Sequence, residues 1–129
     1  MEPSRIPNDS AIVANGLIEA SRFLGITQDQ LASAIGVSRA TVARIKKSAS
    51  SNLDDAALAS NGKPFELSLL LIRVYRSLYS ILGGNQQAMK HWMSTPNLHL
   101  SNTKPVDLVQ TALGLGQIIW YLDAMRGKI

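Results

Sequence analysis

The sequence contains no cysteine, so a disulfide framework and a thiolate metal site are both excluded. His91 and His99 are the only imidazoles, which leaves too few ligands for structural zinc, and no metal or cofactor is expected. Charged residues make up only 17% of the chain against 46% hydrophobic, a balance that suits a packed globular protein and argues against general disorder. Aliphatic runs such as Leu69–Ile72 fall far short of the roughly 20 residues that span a bilayer. The opening MEPSRIPNDS lacks the apolar segment of a signal peptide, so a cytoplasmic protein without membrane contact is expected. Alternating β-branched residues are nearly absent, whereas apolar residues recur at spacings of three and four and Gly or Pro falls at the ends of these stretches. The fold class expected is all-α.

One further absence is local. The net charge of +4 is modest and divides evenly between the two halves of the chain, but between Gly36 and Asn52 there are four basic residues, Arg39, Arg44, Lys46 and Lys47, and no acidic one. Such a face suits a polyanion, although a basic face that is merely solvated carries the same charges.

Periodicity places a first helix from Ser10 to Leu24, with Val13, Leu17, Ala20 and Leu24 on its buried face and Gly25 at its end. Ser48–Asn52 and Asn61–Pro64 read as loops around a short helical segment, Leu53–Ala59. This divides the chain into an N-terminal unit over 1–52, a connection over 53–62 and a C-terminal unit over 63–129. Phe65–Leu82 is apolar nearly all round, and a helix of that kind must be covered on more than one side. Leu70, Leu71, Val74 and Leu78 are its candidate dimer contacts. Gly83-Gly84-Asn85 ends it, a helix over Gln86–Met93 follows, Ser94–Lys104 is a loop, Pro105 opens a further helix, and the last runs from Gly116 to Arg126 with Gly127 as its cap.

The most specific pattern is QDQLASAIGVSRATVARIKK, Gln28 to Lys47. Thr27 and Gln30 have the spacing of a capping box, so a helix starts there, buries Leu31, Ala32 and Ile35, and stops at Gly36, where a tight turn favours positive φ. Ser38 can cap a second helix burying Val42 and Ile45, with Val37 in the corner and Ala32 small enough for the two helices to cross closely. These residues resemble the helix-turn-helix of Xre-type and phage-repressor-like regulators. The resemblance implies that Arg39–Lys47 lies in the major groove of double-stranded DNA. Ser38 then starts the reading helix, Arg39 reads guanine, Ala40 or Thr41 meets a thymine methyl, and Arg44 reaches a base or phosphate one turn on. Lys46 and Lys47 hold phosphates, and Gln28 touches the backbone and braces the reading helix.

In the C-terminal half, Trp92, Leu98, Leu100, Val106, Leu108, Val109, Leu113, Ile118, Ile119 and Leu122 read as core, and no catalytic grouping stands out. His91 or His99 with Asp107 or Asp123 would be an acid–base pair only in a site for which no other residues are evident. The order Trp92, Pro96-Asn97, Leu100, Lys104-Pro105-Val106-Asp107-Leu108, Thr111, Gly114, Ile118, Leu122, Gly127 resembles the toxin-binding domain of Xre/MbcA/ParS-type antitoxins. Ser101-Asn102-Thr103 departs from that pattern, where glycines are frequent, but Asn102 can adopt positive φ. The resemblance implies a RES-domain toxin, an enzyme that consumes NAD, as partner. It places the antitoxin's C-terminal region at the toxin's active-site entrance, with repression of its own operon through the helix-turn-helix. Trp120, Tyr121, Arg126, Gly127, Lys128 and Ile129 are the candidate toxin contacts, since aromatic and arginine side chains anchor interfaces. Core packing is the other reading of Trp120 and Tyr121. The expectation is a non-enzymatic antitoxin acting as a homodimer, and the alternative is a plain repressor whose C-terminal half dimerises or senses a ligand.

Overall fold

A computed structural model describes residues 9–51, 58 and 62–127, and it is all-helical, with no strand among the described residues. The helices are α1 (Asp9–Leu24), α2 (Gln28–Ile35), α3 (Arg39–Ser51), α4 (Lys63–Ile81), α5 (Gln86–Ser94), α6 (Pro105–Leu108) and α7 (Ala112–Met125), with a 3₁₀ turn at Leu98–Leu100. α1 and α4 form the centre. α1 packs on α4, α3 and α5, while α4 also packs on α2 and α7, so one hydrophobic core runs through both halves of the sequence.

Local chemistry explains most boundaries. Gly25, Gly36, Gly83 and Gly84 all take positive φ at the ends of helices, and Asn85 caps α5 by accepting from Ala88 N–H at 3.0 Å. Pro64 sits in the first turn of α4 and Pro105 opens α6, where a missing N–H costs no helical bond. The expected inward face of α1 is buried, Leu17 and Ala20 completely.

Three expectations are corrected, and one falls outside the described residues. Ser48–Asn52 is not a loop from its start, because α3 continues to Ser51 with Ser48 and Ala49 buried; a Ser-rich run stays helical when its small side chains pack. The segment Leu53–Ala59 lies outside the described residues, save that Leu58 is buried. The residues expected to form a dimer surface on α4 are instead taken up by the chain's own core: Leu71, Val74 and Leu78 are at most 1% exposed and Leu70 is half-buried. Three neighbouring helices, α1, α2 and α7, supply the cover that periodicity alone assigned to a second copy. Finally, α7 starts four residues before Gly116. Thr111 Oγ1 accepts from Gly114 N–H at 3.0 Å, and this cap overrides the low helix propensity of Gly114 and Gly116.

Candidate DNA-reading and partner-binding surfaces

The turn between α2 and α3 is assembled by side chains that each satisfy a backbone donor. Thr27 Oγ1 accepts from Gln30 N–H at 3.1 Å while Thr27 N–H donates to Gln30 Oε1 at 2.9 Å, the reciprocal pair of a capping box. At the other end of α2, Gly36 has φ 74° and its N–H and that of Val37 both donate to the Ala32 carbonyl. Ser38 Oγ accepts from Thr41 N–H at 3.1 Å and lies 3.0 Å from Thr41 Oγ1, which in turn accepts from Arg44 Nη2 at 3.3 Å. Leu31, Val42 and Ile45 seat both helices on the core, at most 2% exposed.

The packing leaves Arg39, Ala40, Arg44, Lys46 and Lys47 exposed on α3, with Gln28 exposed at the first position of α2. Gln28 and Lys46 line the same cleft, together with Arg22 of α1 and Thr27. One residue that the sequence did not single out enters here. Asp29 Oδ1 lies 2.7 Å from Arg39 Nε, both side chains being about 70% exposed (69% and 72%), so the guanidinium at the start of α3 is held by a carboxylate from α2. Ten residues separate the two, and only the crossing of α2 and α3 brings them together. A pair this exposed contributes about 0–1 kcal/mol to stability, so its consequence is orientation rather than stability.

The C-terminal half offers a different surface. Val109, Leu115, Ile118 and Leu122 are buried with Met89 and Met93, and Gly114 lets α7 meet α6: a Cβ there would lie 2.1 Å from the Leu108 carbonyl oxygen. The loop before α6 is closed by Ser101 and Asn102, both at positive φ (59° and 57°), and by pairing of Asn97 with Thr103. Leu98 and Leu113, expected in the core, are instead 83% and 77% exposed. Leu98 opens a 3₁₀ turn whose preceding Asn97 caps His99 N–H, and this turns its side chain outward. Leu113 lies on the first turn of α7, on the face away from the buried Leu115 and Ile118.

Trp120 is 66% exposed, while Tyr121 is half-buried, stacked on Trp92 (centroids 6.5 Å, 14°) and on His99 (5.8 Å, 23°). Leu113, Gln117 and Trp120 share one face of α7 at spacings of four and three. Gln117, Trp120 and Tyr121 line a cleft of about 330 Å³ with His99, Leu100 and Thr103 of the loop. Arg126 lies apart from that cleft. Its Nη1 donates to Ser77 Oγ of α4 at 3.1 Å, and Gly127 has φ 72°, while Lys128 and Ile129 lie outside the described residues.

The acid–base alternative gains no geometry. Asp123 is bonded to Arg73 and His99 stacks on Tyr121; no grouping of three or more metal-binding side chains occurs among the described residues. Among the same residues, no helix is long and apolar enough to cross a membrane.

Comparison with known proteins gives two adjoining matches. The Xre-like helix-turn-helix domain of antitoxins matches residues 7–73, and the C-terminal toxin-binding domain of Xre/MbcA/ParS antitoxins matches residues 77–128. A search of curated proteins gave no match. With a helix-turn-helix followed by a toxin-binding domain along nearly its whole length, the chain belongs to the Xre-like helix-turn-helix antitoxins.

Proposed function

We propose that this antitoxin neutralises a RES-domain, NAD-consuming toxin by direct contact, represses its own operon through α3, and does so as a non-enzymatic cytoplasmic homodimer. The observation that carries the toxin reading is the exposed apolar stripe of Leu113 and Trp120 on α7, together with the exposed Leu98 of the preceding loop. These are three large side chains left 66–83% in water on a domain matched as toxin-binding, where a domain without a partner would gain by covering them. Trp120 is the anchor, and Tyr121 holds the surface from beneath by its stack on Trp92 and His99. Arg126, Gly127, Lys128 and Ile129 are a second set of toxin contacts in this reading, since arginine anchors interfaces.

DNA reading rests on Arg39 and Arg44, with Ala40 and Thr41 between them, Ser38 capping the reading helix, and Gln28, Lys46 and Lys47 against phosphates. Asp29 directs the Arg39 fork before DNA arrives.

Co-expression of toxin and antitoxin variants tests the two functions separately. Arg39→Ala with Arg44→Ala is expected to release the promoter yet rescue growth, and Leu113→Asp with Trp120→Asp to keep promoter binding yet fail to rescue. Circular dichroism of each variant checks that the helices persist. Rescue by the doubly substituted α7 variant at equal abundance would refute this surface as the toxin contact. Full rescue with no effect on cellular NAD in unprotected cells would refute the NAD-consuming partner.

A further inference from the structure

The exposed large apolar side chains of the described residues fall mainly into two groups. One is the α7 stripe; the other, Ile12 (51% exposed), Leu69 (46%) and Tyr79 (44%), borders a groove between α1 and α4. The groove consists of two adjoining clefts of about 590 and 360 Å³ that share Gly16, Ile72 and Arg76. Its residues come mostly from 12–23 and 69–79, largely outside the match to the toxin-binding domain.

We infer that a second copy of this chain binds this groove, with the two copies related by a twofold axis that crosses it at the level of Val74. The inference rests on the homodimer reading and assigns it a surface. α1 and α4 run side by side in the same direction: Gly16 meets Ile72, Glu19 accepts from Tyr75 Oη at 2.8 Å, and Phe23 packs on Tyr79 with centroids 5.9 Å apart. Positions along the groove can therefore be numbered by α4. A twofold at 74 exchanges 69 with 79, 72 with 76, and 73 with 75.

Each exchange brings complementary groups together. Leu69 and Ile12 of one copy face Tyr79 and Phe23 of the other, apolar against aromatic. Arg73 comes opposite Tyr75, whose hydroxyl donates to Glu19, so the cation lies at the level of a carboxylate. Arg76 faces the level of Gly16, where Ile72 lies against the glycine and offers the arginine's alkyl stem an apolar surface. A self-complementary patch of this kind is what an isologous contact requires. The same pattern disfavours nucleic acid as the occupant, because Glu19 and Asp123 stand among the arginines and Asp123 is bonded to Arg73.

Sedimentation of the full chain across the micromolar range tests this. Leu69→Lys and Tyr79→Asp, each at a half-exposed surface position, are expected to weaken the dimer about tenfold or more when alone. Mixing the two variants is expected to restore it, because Lys at 69 of one copy then faces Asp at 79 of the other, a result that misfolding cannot produce. A wild-type dimer that neither variant weakens, or weakened variants that do not recover on mixing, overturns the groove assignment while leaving the homodimer reading intact. A wild-type monomer at about 100 µM, alone and with operator DNA, overturns the homodimer reading itself. Variants that remain dimeric but lose the toxin make the groove a toxin surface and also overturn the inference.

Discussion

Two glycines in the first turns of α7 should respond in opposite directions to the same substitution. Replacing glycine by alanine within a helix ordinarily stabilises it by about 0.5–1 kcal/mol, because alanine has less backbone freedom to lose. Gly116 meets that condition: a Cβ would find nothing within 4 Å, so Gly116→Ala should gain about that amount. Gly114 does not. Its Cβ would lie 2.1 Å from the Leu108 carbonyl oxygen, 2.8 Å from the Leu108 carbonyl carbon and 3.0 Å from its Cα. All three are backbone atoms of α6, which cannot rotate aside, and relief requires α6 and α7 to separate by roughly 1 Å. Overpacking of this kind costs about 1–3 kcal/mol, and forcing backbone rather than side chain puts Gly114→Ala at the upper end, less the propensity gain. The net loss should be about 1–2 kcal/mol. At roughly 4 °C per kcal/mol for a chain of this size, thermal denaturation should place the two variants on either side of the parent, several degrees apart. The separation of α6 from α7 also displaces the loop that flanks Trp120, so Gly114→Ala should weaken toxin binding and leave operator affinity unchanged. Equal stabilisation by both substitutions would refute the close approach of the two helices.

Arg39→Ala should cost about 1–3 kcal/mol on operator DNA and relax base preference, whereas Lys47→Ala should weaken all duplexes alike and reduce the salt slope; gel-shift titrations at several salt concentrations distinguish them. Asp29→Ala should leave stability within about 1 kcal/mol but raise affinity for a scrambled duplex relative to the operator, since it frees Arg39 and removes a negative charge from the DNA side. Truncation after Met125 should weaken inhibition of the toxin while promoter binding persists, measured by growth rescue and gel shift of the same preparations. Burial and the hydrogen bond to Glu19 push the Tyr75 phenol up to about 12 from its ordinary value of 10.0. A folded-state value raised in this way favours folding fully below pH 10, and that contribution is lost as pH rises through 12. Ultraviolet titration should show a late tyrosinate step that Tyr75→Phe removes.

Much of the fold was legible because its signals are local. The caps at Thr27 and Ser38 are side chains acting on backbone three residues on, and the positive φ at Gly36 and Asn102 reflects what each residue itself tolerates. Spacing likewise identified Leu17, Ile35, Val42 and Ile118 as core, since a helix repeats every 3.6 residues whatever it packs against. The family resemblance came from the same local residues. Periodicity could not say which partner covers an apolar face. It marked Leu71, Val74 and Leu78 for a second copy, although neighbouring helices of the same chain cover them, and it placed Leu98 and Leu113 inside when they face water. That packing also makes a fragment starting at Lys63 a poor carrier of toxin binding, because removing α1 uncovers Ile72 and Tyr75. Contacts between residues distant in sequence were equally beyond reach. Asp29 on Arg39, Gly114 on Leu108, Tyr121 between Trp92 and His99, and the groove between α1 and α4 each depend on how helices cross. The sequence alone determined where helices begin and end and which of their faces are apolar, because those are properties of a few adjacent residues. Only the tertiary structure decided which apolar side chains remain in water for a partner, because exposure is set by every other element that packs against them.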